Sequence, residues 1–442
     1  MLRWNSLSFA IALATALGAH AALAQTTWHV DAAFCPGPGN GSPGSPYCRI
    51  QDGILAAAPG DSVLVFPGTY VENVDFLGKA IELRSARGPL ATIVDGGLAG
   101  ACVSFVNGEG PASVLQGFTL TNGSGRPVTG GGEGGGIACL ASSPTIRGNR
   151  IVRNAPRWGG GIACRNGSSP LIVDNLIADN TAPGAGGGLY LHTNCAPRLE
   201  GNLIFRNRVA SATGGGLYLG YNCTPTLVHN TIYANAALNA GGAFSFQSSA
   251  TLTSCIVWGN TPNQMLNVVN VTYSDVQGGL AGTGNANADP LFVDPASDDF
   301  HLSFGSPCID AGTSGGSGFD FEGDSRTSSA APDMGADEFA TRFYLAGVPR
   351  AWNTLELRFI GGPSASPVFA LLATDFLPAP LPIPPFGDLL LLPPFTAFPM
   401  GALSAQGTLS VPVLVPGPGG YALALQALIG TELTNGLPLY VP

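Results

Sequence analysis

The chain has 442 residues, 45% of them hydrophobic and only 10% charged, with a formal net charge of −10. Its 18 basic residues include a single lysine, Lys79, so the strongly basic domain that marks a nucleic-acid binder is missing. Glycine (63) and proline (36) are too abundant for a helical or α/β chain and predict many turns.

Residues 1–24 read as an export signal. Arg3 supplies the positive start, an apolar run follows, and Ala22-Leu23-Ala24 is the small-x-small cleavage pattern, so the mature chain is expected to begin at Gln25. No later segment reaches the ~18 apolar residues of a membrane helix. The expected mature product is a monomeric, secreted or outer-surface protein without a transmembrane helix. Export permits disulfides. The nine cysteines are odd in number and contain no C-x-x-C. Cys35 and Cys48 flank "PGPGNGSPGSPY", a loop with no core of its own, and are the expected pair.

Residues 50–73, "IQDGILAAAPGDSVLVFPGTYVEN", read as a short amphipathic helix followed by a first pair of strands. After "SVLQGFTLTNG" (113–123) a repeat takes over. "GGGIACLASSPTIRGNRIVRN" (134–154) recurs from 159, 186, 214 and 241, and the copies close on Asn154, Asn180, Asn207, Asn235 and Asn260. A second asparagine, at 149, 175, 202 and 230, stands five before the first four of these; Cys255 takes its place in the fifth copy. Each copy offers three short apolar segments, marked by Ile137, Ile146 and Ile151 in the first. No copy can bury its own apolar side, but stacked copies place each apolar residue on its equivalent ~4.8 Å above. The prediction is an all-β solenoid, a parallel β-helix with three strands per coil and about 25–28 residues per coil. Asparagine at the corners suits left-handed backbone, and stacked amides can bond up a column.

These paired GG[I/L] and [I/F]-x-x-N repeats resemble the right-handed parallel β-helix of the pectin-lyase-like superfamily, and are similar to the repeats of chlamydial polymorphic outer-membrane proteins and many secreted bacterial β-helix proteins. The resemblance implies that the helix near residue 50 caps the solenoid. It also implies that residues 271–279, 288–302 and 306–313 are its last coils and that 320–339 closes it. The expected organisation is a signal peptide at 1–24, a capped β-helix at 25–340, and a small β-sandwich at 341–442. In that last region, "TLELRFI" (354–360), "GTLSVPVLV" (407–415) and "YALALQALI" (421–429) read as strands. The tail resembles C-terminal modules of secreted bacterial proteins, which implies an accessory or attachment role.

Several catalytic patterns match by accident. Gly130-x-Gly132-x-x-Gly135 has no βαβ unit around it. Gly312-Thr313-Ser314-Gly315-Gly316 fits a nucleophile elbow, but no histidine follows His301. Sugar-cleaving members of the fold imply paired acids with an arginine base or a histidine, and no such set falls on the central coils. Acids Asp320, Asp324, Asp333, Asp337 and Glu338 could supply oxygen ligands to calcium, against the plainer reading that they solvate the end of the solenoid. No other cofactor is expected. Arg153, Asp179 and Arg206 share one column, so their charges alternate.

On the strand after the glycines, Ile137, Ile162, Leu189, Leu217 and Phe244 are expected to point inward. Cys139, Cys164, Leu191, Leu219 and Phe246 follow them in, and Ser245 and Gln247 are expected outward. Cys195 and Cys223 stack at a turn and could pair. Tyr190 and Tyr218, flanked by Arg165 and His192, fall on the outer face, where the resemblance places a sugar groove. The leading expectation is a non-catalytic adhesive or glycan-binding protein acting through those four residues, with a polysaccharide or a host or matrix glycan as partner. The rivals are a polysaccharide lyase or glycoside hydrolase acting on uronate polymers, and a solenoid with no ligand.

Overall fold

The computed structural model describes residues 25–340, apart from 269, 328 and 329, and within 341–442 the strands together with residues 403 and 404. The expected signal peptide lies outside the described residues.

The repeats build three parallel sheets of eight, ten and nine strands. Each coil contributes one strand to each sheet. In the first clear copy these are Ile137–Leu140, Thr145–Arg147 and Arg150–Val152, which enter what we term the first, second and third sheets. Equivalent apolar residues pair in register: Ile137 with Ile162, Ile146 with Ile172, Ile151 with Ile177. Strands of three or four residues suffice because the stack, not the single turn, buries the side chains. Ile137, Ile146, Ile151 and their equivalents are completely buried in one continuous core. Cys139 and Cys164 are in that core as expected; Cys195 and Cys223 are buried there too, as free thiols and not as a pair.

The two asparagine columns are internal. Asn207 accepts from the backbone N–H of Asn180 at 3.1 Å and from its Nδ2 at 3.0 Å. It donates to the carbonyl of Ile177 at 2.8 Å and to Asn235 at 3.0 Å. The same pattern joins Asn149 to Asn175 and Asn175 to Asn202. One expectation is corrected here. The left-handed residue at each corner is not the asparagine but its predecessor: Gly148, Asp174, Gly201 and His229 in one column, Arg153, Asp179, Arg206 and Ala234 in the other. The left-handed turn swings the next residue inward, and asparagine is there because its amide satisfies buried backbone groups.

The N-terminal end is closed as expected by the helix Ile50–Ala56, whose Ile50 and Ile54 are buried. The loop before it is tied by the Cys35–Cys48 disulfide. The last coil contains Met265–Leu266, Asn270–Thr272 and Asp275–Val276. The expectation that 288–302 and 306–313 add further coils is not met. Phe292–Asp294 and Asp299–Leu302 form an antiparallel hairpin outside the solenoid. The reason is the outward column of the third sheet, which reads Val152, Ala178, Phe205, Tyr233, Trp258. This stripe is apolar, so both faces of the sheet need cover. The chain folds back to supply it: Phe300 meets Phe205 at 4.6 Å and Tyr233 at 5.3 Å between ring centroids. Met334 and Ala336 extend the contact, and Gly335 N–H donates to the Ser254 carbonyl.

In 341–442 the strands are antiparallel. Thr354–Ile360 pairs with Arg342–Ala346 and Thr408–Leu414, and Tyr421–Ile429 with Pro367–Ala373 and Leu437–Val441. The three strands expected from sequence are among them.

Candidate functional site

The outer face of the first sheet carries a ribbon of aromatic residues. Parallel in-register pairing puts Ala163, Tyr190, Tyr218 and Phe244 in one column. The inward assignment of Phe244 and Phe246 is thereby corrected. The fifth copy has two glycines where the others have three, so Ala243 takes the place of Leu217 and Ser245 that of Leu219. Ala243 and Ser245 are the buried residues, and both phenylalanines face out.

Stacking at the coil spacing has a cost for ligand binding. Tyr190 and Tyr218 lie 5.3 Å apart and nearly parallel, at 14°; Tyr218 and Phe244 lie 5.7 Å apart at 20°. The ring faces are therefore occupied by one another. Tyr190 is only 8% exposed and packs with Ala163, Ala185 and Trp158. The expectation of two tyrosine faces open to a sugar is corrected: this column is a small outer core, with ring edges turned outward.

The open aromatic surface lies at the next turn. His192 stacks on Tyr190 at 5.4 Å, and Tyr221 meets His192 edge-on at 4.9 Å and Phe246 at 5.3 Å. Tyr221 is 45% exposed and Phe246 39%. The pairing of His192 with Gly220 makes room for this: a Cβ on Gly220 would stand 2.8 Å from the Tyr218 ring and 3.1 Å from His192. His192 Nδ1 is bonded to Thr193 Oγ1 at 2.7 Å. Burial, and then the Arg165 guanidinium, hold its pKa below the usual imidazole value, which favours the neutral ring.

Arg165 is paired in register with His192 and makes a 3.0 Å ion pair with the buried Glu133. Glu133 comes from the hairpin Arg126–Val128/Gly131–Glu133, so Gly130 and Gly132 of the accidental dinucleotide pattern fall in the turn and the second strand of a hairpin beside this face. Arg165 is thus held in place, while its Nε is buried without an acceptor among the described residues. The structure brings all four expected residues together. It adds Tyr221 and Phe246, which sequence reasoning missed; the signal was Tyr221 aligned with Thr193 one coil earlier, and the missing glycine of the fifth copy.

The closing acids do not solvate the end of the solenoid. Asp320, Asp333, Asp337 and Glu338 are buried and Asp324 half-buried. Asp320 accepts backbone N–H groups from Glu322, Asp324 and Glu338, Asp333 from Asp310 and Phe339, and Asp337 from Leu302. Their first role is to fold the back-turned segment. Burial pushes the Asp333 and Asp337 carboxyls up to about 7. Ligand atoms of Asp320, Glu322 and Asp324, and of His301, Glu322 and Asp337, lie close enough to share a cation, and Asp333 stands outside both groups. His301 is already held between Asp299 at 2.6 Å and Glu322 at 2.8 Å. The expected charge column is realised in part: Arg206 grips Asp179 with two bonds, 2.9 and 3.0 Å, and also reaches Asp298, while Arg153 is exposed.

Among solved structures, the chain is similar to the pectate lyase Pel9A (16% identity, TM-score 0.39, 72% of this chain and 97% of that one). It is also similar to a pectin methylesterase from carrot (13%, 0.31, 60% and 84%) and to XylC in complex with xylose (12%, 0.34, 88% and 100%). A comparison with curated proteins gives no match. Residues 99–256 match the family described as "Right handed beta helix region". With that match and three parallel sheets stacked coil on coil around one core, the fold of the solenoid is a right-handed parallel β-helix.

Proposed function

We propose that this is an exported β-helix protein that binds glycans, and adheres through them, by the outer face of its first sheet, without catalysis. The observation that carries the reading is the exposed aromatic corner His192–Tyr221–Phe246, set against the packed Tyr190–Tyr218–Phe244 stack and beside Arg165. Exposed rings with a polar edge suit sugar faces and hydroxyls, and rings packed against one another have less freedom to lose on binding. The Cys35–Cys48 disulfide and the signal-like residues 1–24 support export. No helix of the described residues is long and apolar enough to cross a membrane. The antiparallel C-terminal strands fit an attachment module.

A glycan array probed with the purified chain tests this. Binding should occur and fall about tenfold or more in Tyr221→Ala and Phe246→Ala, the loss expected when an aromatic contact is removed at the centre of a site. No binding by the parent chain would leave a purely structural solenoid. Release of unsaturated or reducing ends from uronate polymers would instead establish a lyase or hydrolase.

A further inference from the structure

A second concave surface lies on another side of the solenoid, over the turn between the second and third sheets. It is a groove of about 280 Å³, bounded by Leu90 from an early loop and by Phe321 from the back-turned segment. Leu176 and Leu203, in register on the third sheet, form its floor, and Arg150 stands one coil below them in the same column.

Two polar groups in the groove have unmet needs. Arg150 makes no ion pair among the described residues, whereas Arg147, Arg165, Arg198 and Arg206 nearby all do. Asp174 lies over the bare Cα of Gly201, where a Cβ would stand 2.3 Å from its Oδ1. That oxygen is buried with no hydrogen-bond donor among the described residues. A buried carboxyl oxygen without a donor is costly, so the carboxyl favours holding a proton, and Asp174 meets the groove through its other oxygen. Burial pushes the Asp174 carboxyl up to about 7; Arg326 opposes this, and Asp320 and Glu200 add to it.

We propose that this groove is a second ligand site that takes a small amphipathic acid. The apolar body lies between Leu90 and Phe321 on Leu176 and Leu203, the carboxylate pairs with Arg150, and a hydroxyl hydrogen-bonds Oδ2 of Asp174, the oxygen that is not buried against Gly201. The mostly apolar walls exclude a bare inorganic anion as the best fit, and the arginine selects against neutral molecules. An ionised Asp174 would repel the ligand's carboxylate, so affinity should fall as pH rises through about 7.

The test is isothermal titration calorimetry of the full chain with 4-hydroxycinnamate, which carries a flat apolar body, a carboxylate and a hydroxyl. Saturable binding is expected at pH 6. It should weaken about tenfold in Arg150→Gln, the loss of one charge-assisted bond, and comparably when the methyl ester replaces the acid. Asp174→Asn should flatten the pH dependence between 6 and 8. Tyr221→Ala should leave this binding unchanged, which separates the groove from the aromatic face. Thermal unfolding checks that each variant keeps its fold. The proposal is overturned by no saturable heat with the parent chain, by equal binding of acid and ester, by an unaltered Arg150→Gln, or by loss of binding in Tyr221→Ala.

Discussion

The first and third sheets of this solenoid both carry aromatic residues on their outer faces, and the chain treats them differently. On the third sheet, Phe205 and Tyr233 are covered by Phe292 and Phe300 of the back-turned hairpin. On the first sheet, Tyr190, Tyr218 and Phe244 cover one another, and Tyr221 and Phe246 remain open at the edge. An apolar outer column is therefore not by itself a ligand surface. It becomes a candidate only where neither the chain nor its own stacking has consumed the rings.

This contrast can be broken by measurement. The largest effect is expected on the covered face. Phe300→Ala removes a buried ring from the third-sheet cover and should cost about 3–5 kcal/mol in urea unfolding. Next comes the ladder beneath both faces. Asn207→Ala strands the donors of Asn180 and the carbonyl of Ile177, and should cost at least about 2 kcal/mol at the same readout.

A smaller effect should follow pH. Asp174, Asp333 and Asp337 have folded pKa values of about 7, above their ordinary 3.8. The unfolded chain releases these protons first, so stability is full below about pH 4 and declines as pH rises to about 7. His229, pushed down to about 4 chiefly by burial, acts the other way: its stabilising contribution is lost as pH falls from 6.5 toward 4. Three groups outweigh one, so the Tm at pH 5 should exceed that at pH 8 by at least ~2 °C. Asp337→Asn should reduce the difference. The smallest change is expected on the open face. Tyr221→Ala should alter stability by no more than about 0.5 kcal/mol while removing glycan binding. If it destabilises as much as Phe300→Ala, the two faces are both structural and the distinction between them fails.

The legible part of the fold was what repeats along the chain. Asn154 through Asn260 mark the coils, and residues three before and two after each Asn149-type position mark two inward columns. Cys35 and Cys48 fit because a loop without a core needs a tie. The misread parts depended on what lies beside a residue rather than on its place in the repeat. One missing glycine before Ala243 moved Phe244 and Phe246 from the inside to the outside, because strand side chains alternate and a shift of one reverses every face. Residues 288–302 looked like another coil, but their phenylalanines belonged against Phe205 and Tyr233. Nothing in the repeat pointed to the ion pair of Arg165, because Glu133 reaches it from a hairpin outside the repeat.

The sequence by itself determined the period, the three sheets and, outside the fifth copy's first strand, the inward columns, since a repeat too short to bury its own apolar side must stack, and stacking in register leaves only one face for each position. Only the tertiary structure decided which outward residues are available. At a coil spacing of ~4.8 Å neighbouring rings fill one another's faces, and a segment more than 50 residues away can return to cover a column, as Phe300 covers Phe205. Availability is set by those contacts, and it moved the candidate surface from Tyr190 and Tyr218 to His192, Tyr221 and Phe246.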